Sequence, residues 1–350
     1  MMKKRSIFFV AIIMIFCMLF PSCKNEIKGD VIFKVEGEKV YENMFVFFCN
    51  LLLNQDETLA SYVYIDEMDE NDVKEAGVNF AKEYYFRLNE ARAYGTKLTK
   101  EEKKELEEQF DSDYQQYKEV DGKVLNKKEF YDYYYGLTEE QYKEFWENWA
   151  IVEKYTAAIE KEIQITDEMQ KQAYDTYYDY VCTYNLTMLT LDIGKMTEAE
   201  IQAENELAIQ IKTAIESGEK FEDYVEKYCD DKSLKESKGD IDYYPYFQYN
   251  YPELHKKVTA MIPGDVEVVQ EKEIIYVFRL ESIDTYEQLL GGDLLKEWAI
   301  VYQSNKNIEE LVKSDKYSFK VYEDVYEKSD VSGVISEAMI YWQSIWASEA

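Results

Sequence analysis

The chain has 350 residues, a formal net charge of −31 and a single histidine, His255. That length allows two or three cores, and the acidity repels phosphate backbones and argues against a nucleic-acid partner. One histidine leaves little from which to assemble a metal site or a Ser–His or Cys–His nucleophile system, so no metal and no cofactor is expected.

Met1 to Arg5 is a short basic stretch, and Ile7 to Phe20 is a nearly unbroken apolar run ending in Pro21-Ser22-Cys23. The run suits a signal peptide better than a stable transmembrane span. Ser22-Cys23 at its end resembles a bacterial lipobox, which implies a signal peptide over 1–22 and lipid attachment at Cys23. Cys17 leaves with that leader, and the spacings of Cys49, Cys182 and Cys229 match neither a metal motif nor a disulfide framework.

After a spacer over 23–29, Asp30 to Val40 reads as strand, glycine turn, strand. A helix from Glu42 to Leu53 then presents Met44, Phe47, Phe48 and Leu51 on one face. The next helix, Asn71 to Tyr94, is closed by Gly95, and Thr99-Lys-Glu-Glu102 and Thr138-Glu-Glu-Gln141 read as capping boxes. From Glu139 to Glu162, Tyr142, Phe145, Trp146, Trp149 and Val152 recur at helical spacing, a core stripe. Thr166 caps a further helix that runs without a glycine or proline break toward a strand-like run, Thr183 to Leu191.

Beyond that strand come Met196-Thr-Glu-Ala-Glu200, Phe221 with Val225 and Tyr228, Lys238-Gly-Asp240, Pro252-Glu-Leu254, Pro263-Gly264 and the apolar strand Ile274 to Leu280. This order resembles a parvulin-type peptidyl-prolyl isomerase domain of the kind carried by PrsA- and SurA-like foldases of cell envelopes. The resemblance implies an α+β chain. A mostly helical chaperone domain over 30–180 would be completed by a helix and strand over 284–325. A small parvulin-like domain over 181–283 would hold a central sheet flanked by helices, and 326–350 would form an amphipathic tail.

The same resemblance assigns positions to the chemistry. The two histidines of the family fall on Met188 and Tyr276, the acidic position on Asp231, and the proline-pocket and core positions near Asn250, Leu254 and Thr259. Met188 can do neither job of a histidine, whereas Tyr276 can donate a hydrogen bond and Leu254 can receive a proline ring. The aromatic run Tyr243, Tyr244, Tyr246, Phe247, Tyr249 and Tyr251 borders the groove of such a domain. It either holds extended polypeptide or packs locally.

The expectation is therefore a lipid-anchored foldase or holdase on the extracytoplasmic face of a bacterial membrane. It would bind unfolded exported polypeptides, with weak or absent isomerase activity. An active parvulin-type isomerase and a surface lipoprotein with one specific partner are the alternatives, and a homodimer is left open.

Overall fold

The computed structural model describes residues 29–55, 63, 68–120 and 122–349. The expected signal peptide and Cys23 lie outside these residues, as does all of the spacer but its last residue. Two compact units are present, residues 1–162 together with 307–350, and residues 163–306.

In the first unit, Glu36 and Gly37 take left-handed φ values of 48° and 84°. They form the two-residue turn that joins β1 (Val31–Val35) to β2 (Glu38–Tyr41). Helices α1 (Glu42–Gln55), α2 (Glu70–Tyr94) and α3 (Lys100–Tyr117) follow, then the short β3 (Glu119–Val120) and β4 (Lys123–Val124), and then α4 (Lys127–Tyr135) and α5 (Glu139–Glu160). Thr99 and Thr138 each cap their helix reciprocally with the residue three positions on, and Asp69 and Asn126 do the same for α2 and α4. Gly95 ends α2 in the left-handed conformation. Along α5, Tyr142, Phe145 and Val152 are buried, while Trp146 and Trp149 are half-buried against the same core.

The second unit opens with α6 (Asp167–Thr176) and α7 (Tyr178–Val181), which lead into β5 (Tyr184–Asp192). Helices α8 (Glu198–Glu216), α9 (Phe221–Tyr228) and α10 (Lys232–Glu236) precede β6 (Asp240–Tyr243). A 3-10 turn, Pro245–Tyr249, runs into α11 (Pro252–Val258), and β7 (Val266–Glu271) and β8 (Ile274–Ile283) complete an antiparallel sheet in the order β6-β5-β8-β7. The unit closes through α12 (Tyr286–Leu289) and the first part of α13 (Asp293–Lys313).

The division does not follow the boundaries expected at 180 and 284. Residues 163–181 and 284–306 belong with the sheet-bearing unit. The reason is a small shared core in which Ala173, Val181, Leu295 and Ala299 bury one another beneath Tyr177 and Trp298. Polar contacts reinforce it: Tyr286 Oη donates to the Asp167 carbonyl at 3.0 Å, and the Gly291 N–H donates to Gln170 Oε1 at 2.9 Å.

Beyond α13 the chain is part of the first unit again. β9 (Phe319–Val321) pairs antiparallel with β1, with Val35 opposite Phe319 and Phe33 opposite Val321. After α14 (Glu323–Tyr326), the tail helix α15 (Ser332–Glu349) buries Val334, Ala338 and Trp342 in the first core. Trp342 Nε1 donates to the Leu53 carbonyl at 2.8 Å. Lys74, only 4% exposed, donates to the Ser329 carbonyl at 3.0 Å and lies over the Tyr326 ring, so the turn before the tail is tied down as well. Among the described residues no helix is long and apolar enough to cross a membrane.

Candidate functional site

The sheet of the second unit decides which side chains meet. β5 and β8 pair with Met188 opposite Phe278 and Thr190 opposite Tyr276. Directly opposed residues share a sheet face. Met188 and Tyr276 therefore lie on the same face as diagonal neighbours, a relationship that places Cα atoms about 7–8 Å apart. Both are nearly inaccessible, at 3% and 8% exposure.

The turn that supports Met188 requires glycine. Gly239 has φ +90°, and a Cβ there would lie 2.9 Å from the Met188 carbonyl oxygen and 3.0 Å from Val225 Cγ2. The Met188 N–H donates to the Gly239 carbonyl at 2.8 Å, which fixes this turn beside the strand. Lys238, just before it, is forced to a φ of 59° without glycine's freedom.

Leu254 and Val258 are the buried residues of α11. This helix is held by Glu271 at the end of β7, whose carboxylate accepts from the backbone N–H groups of Glu253 and Leu254, both at 3.1 Å. Glu271 is only 7% exposed, so its charge is compensated by the positive end of the helix. The Tyr251 ring stands edge-on to Tyr276 with centroids 6.3 Å apart. Burial pushes the Tyr276 hydroxyl up to about 12, and Tyr251 and Glu271 add to the shift. It stays protonated at physiological pH and is available as a donor. Among the described residues that hydroxyl has no hydrogen-bond partner.

The remaining expected positions do not join this group. Asp231 is exposed and caps α10, accepting from the Ser233 and Leu234 N–H groups at 2.7 and 3.1 Å. The Ser233 hydroxyl is the main cause holding its carboxyl below the usual carboxylate range. Asn250 is exposed, and exposed Thr259 donates its hydroxyl to the His255 carbonyl at 2.8 Å, closing α11. These are local structural duties. His255 is half-buried rather than a surface residue, with Nδ1 3.1 Å from Tyr243 Oη.

Most of the aromatic run packs on its own unit. Tyr243 is 3% exposed between Tyr184, Phe247 and His255. Tyr246 stacks on Tyr180 at 5.5 Å and 11°, with Tyr244 and Phe247 against it. Tyr251, 37% exposed, is open to solvent; the side chain of Tyr249 lies outside the described residues. Glu271 is the member that sequence reasoning misses. Nothing in Val-Glu-Val-Val-Gln-Glu marks its last residue as buried until the helix terminus is seen above it.

The arrangement has no imidazole and no activated nucleophile. Among the described residues no group of three His, Cys, Asp or Glu side chains is placed to hold a metal ion. Met188, Phe278 and Leu254 are packed into the core of the unit, at 3%, 0% and 3% exposure, and Tyr276 leaves one hydroxyl there that is unpaired among the described residues.

Residues 188–282 match the family model described as Rotamase: PPIC-type PPIASE domain, and this segment is a parvulin-type domain. No curated protein matches the chain. Among solved structures the chain is similar to the foldase protein PrsA from Streptococcus pneumoniae, at 17% identity and TM-score 0.33, covering 86% of this chain and 98% of that one. PrsA from Bacillus subtilis gives 17% identity and TM-score 0.26 over 87% and 94%. The structure described for PEB4 and the periplasmic protein Cj1289, SurA-like chaperones of Campylobacter jejuni, gives 12% identity and TM-score 0.29 over 84% and 99%.

Proposed function

We propose that the chain is a membrane-anchored, extracytoplasmic foldase or holdase that binds unfolded exported polypeptides, with weak or absent prolyl isomerase activity. The observation that carries the reading is the pair Met188 and Tyr276. They lie on one face of the adjacent strands β5 and β8, and the resemblance assigns the two histidines of the family to them. Rotation about a prolyl amide breaks no bond and requires no nucleophile, only a lowered share of a barrier of about 18–20 kcal/mol. A site lowers it by desolvating the amide and supplying placed donors. Here one donor, Tyr276, is left where two polar groups would act, and Met188 and Leu254 are buried core residues. Anchoring rests on the apolar leader that ends at Cys23.

The test pairs two assays on the full chain. Light scattering of a denatured model substrate is expected to fall at stoichiometric protein without ATP. The rate of a proline-limited refolding reaction is expected to change little at catalytic amounts. No suppression of aggregation at molar excess overturns the holdase reading; clear acceleration at substoichiometric protein overturns the loss of catalysis. Replacement of Cys23 by Ser is expected to release the protein from the membrane fraction.

A further inference from the structure

We propose that the first unit binds its polypeptide by strand addition, along the free edge of β2. The inference rests on the holdase reading and names where and how the chain is gripped. Among the described residues β2 has a single sheet neighbour, since the order is β2-β1-β9. The hairpin closes on the opposed residues Val35 and Glu38. The Glu36 N–H bonds the Ser318 carbonyl and the Tyr322 N–H bonds the Ile32 carbonyl, so the even-numbered residues of this stretch serve β9. By alternation Val35 and Phe33 serve β2 through Glu38 and Val40, and Lys39 turns its N–H and C=O away from the sheet. A row of this kind is a ready template for an extended segment.

The edge is not flat against solvent. It borders a cleft of about 150 Å³ to which β2, α2 and α5 contribute. A cavity of roughly that size takes up a benzene-sized group, which fits one large side chain of the added strand. Met44, Tyr84 and Phe145 form the floor, and the charged lining is Glu144 and Lys39 beside the pair Glu38 and Arg92. Glu38 is already held by Arg92 at 3.1 Å. Glu144 is exposed and has no basic partner within ion-pair distance among the described residues. The occupant that complements this cleft is an extended polypeptide segment with a lysine or arginine. Its aliphatic stem would lie on the aromatic floor and its head group at Glu144. The net charge of −31 favours such a segment at longer range.

The test uses the full chain and a fluorescent peptide of alternating apolar residues around one central lysine, with the lysine changed to norleucine or glutamate in control peptides. Proline is tolerated on an edge strand when its nitrogen faces outward, so Lys39→Pro should fold normally by circular dichroism. It is expected to weaken peptide binding by about fivefold, the worth of one net hydrogen bond. N-methylation along the peptide should weaken binding at alternate residues only. Glu144→Gln should reduce the preference for the lysine over the norleucine peptide by about two- to fivefold.

Binding that is indifferent both to Lys39→Pro and to every N-methyl group overturns strand addition, even if aggregation is still suppressed and the holdase reading stands. Absence of binding to any unfolded chain overturns both. Concentration-dependent protection of the Lys39 amide from hydrogen exchange without peptide would assign the edge to a second copy of this chain, and would also overturn the proposal.

Discussion

Glu271→Ala is the most informative single change in the sheet-bearing unit. The native carboxylate is 7% exposed and accepts two backbone hydrogen bonds at 3.1 Å from the first turn of α11. Hydrogen bonds to a charged acceptor contribute about 1.5–3 kcal/mol each, and a buried donor left without a partner costs about 1–3 kcal/mol. The Leu254 N–H is buried, whereas Glu253 is exposed and its N–H can be served by water. The expected loss is therefore about 2–4 kcal/mol, dominated by the Leu254 bond. Glu271→Gln keeps a neutral acceptor in place and should lose only about 1 kcal/mol. Urea unfolding by circular dichroism measures both, and hydrogen exchange localises the effect to α11 and the end of β7. An alanine variant within about 0.5 kcal/mol of the parent, the range of an ordinary surface change, would refute the argument that this carboxylate holds Leu254 over the sheet.

Four further outcomes are expected. Met188→His together with Tyr276→His restores two polar groups on one sheet face, and proline-limited refolding should then be accelerated relative to the parent chain. Lys238→Gly relieves a left-handed residue and should raise stability by about 1 kcal/mol in urea melts. Trp342→Ala removes a buried ring and its hydrogen bond to the Leu53 carbonyl and should cost about 3–5 kcal/mol, with early exchange in α15. Asp113 is 6% exposed, and its Oδ2 has no partner among the described residues. Burial raises its pKa, so the folded state disfavours the ionised form at pH 7, and that penalty is relieved as pH falls through the raised value. Asp113→Asn should accordingly stabilise the protein at pH 7, and the gain should vanish below the ordinary aspartate range.

The two units differ in how much of their logic is local. Helix ends were legible because a cap involves residues three apart: Thr99 with Glu102 and Thr138 with Gln141 both close as their spacing requires. The turn at Gly239 is local in the same sense, since a positive φ is a property of one residue and its neighbours. The break at Gly291 and Gly292 separates α12 from α13, again a local effect.

Pairing register and burial are different, because they depend on residues far apart in the chain. The sequence by itself shows that Met188 and Tyr276 lie in strands. Only the β5–β8 register puts them on one face, and a slip of one residue would have separated them. The resemblance groups Asp231, Asn250 and Thr259 with Leu254, yet a short capped helix turns Asp231 to its own backbone, and Asn250 and Thr259 stay at the surface. Glu271 reads as one more surface acid in a chain with 71 acidic residues, and becomes a structural anchor only when α11 crosses the end of its strand. The domain boundary moved for a comparable reason: Ala173, Val181, Leu295 and Ala299 are each too small or too brief a signal to announce a shared core. Charge and helix caps were thus legible in the sequence alone. The composition of the site and the free edge of β2 were decided by tertiary packing, since both are relations between segments and neither is encoded in any one of them.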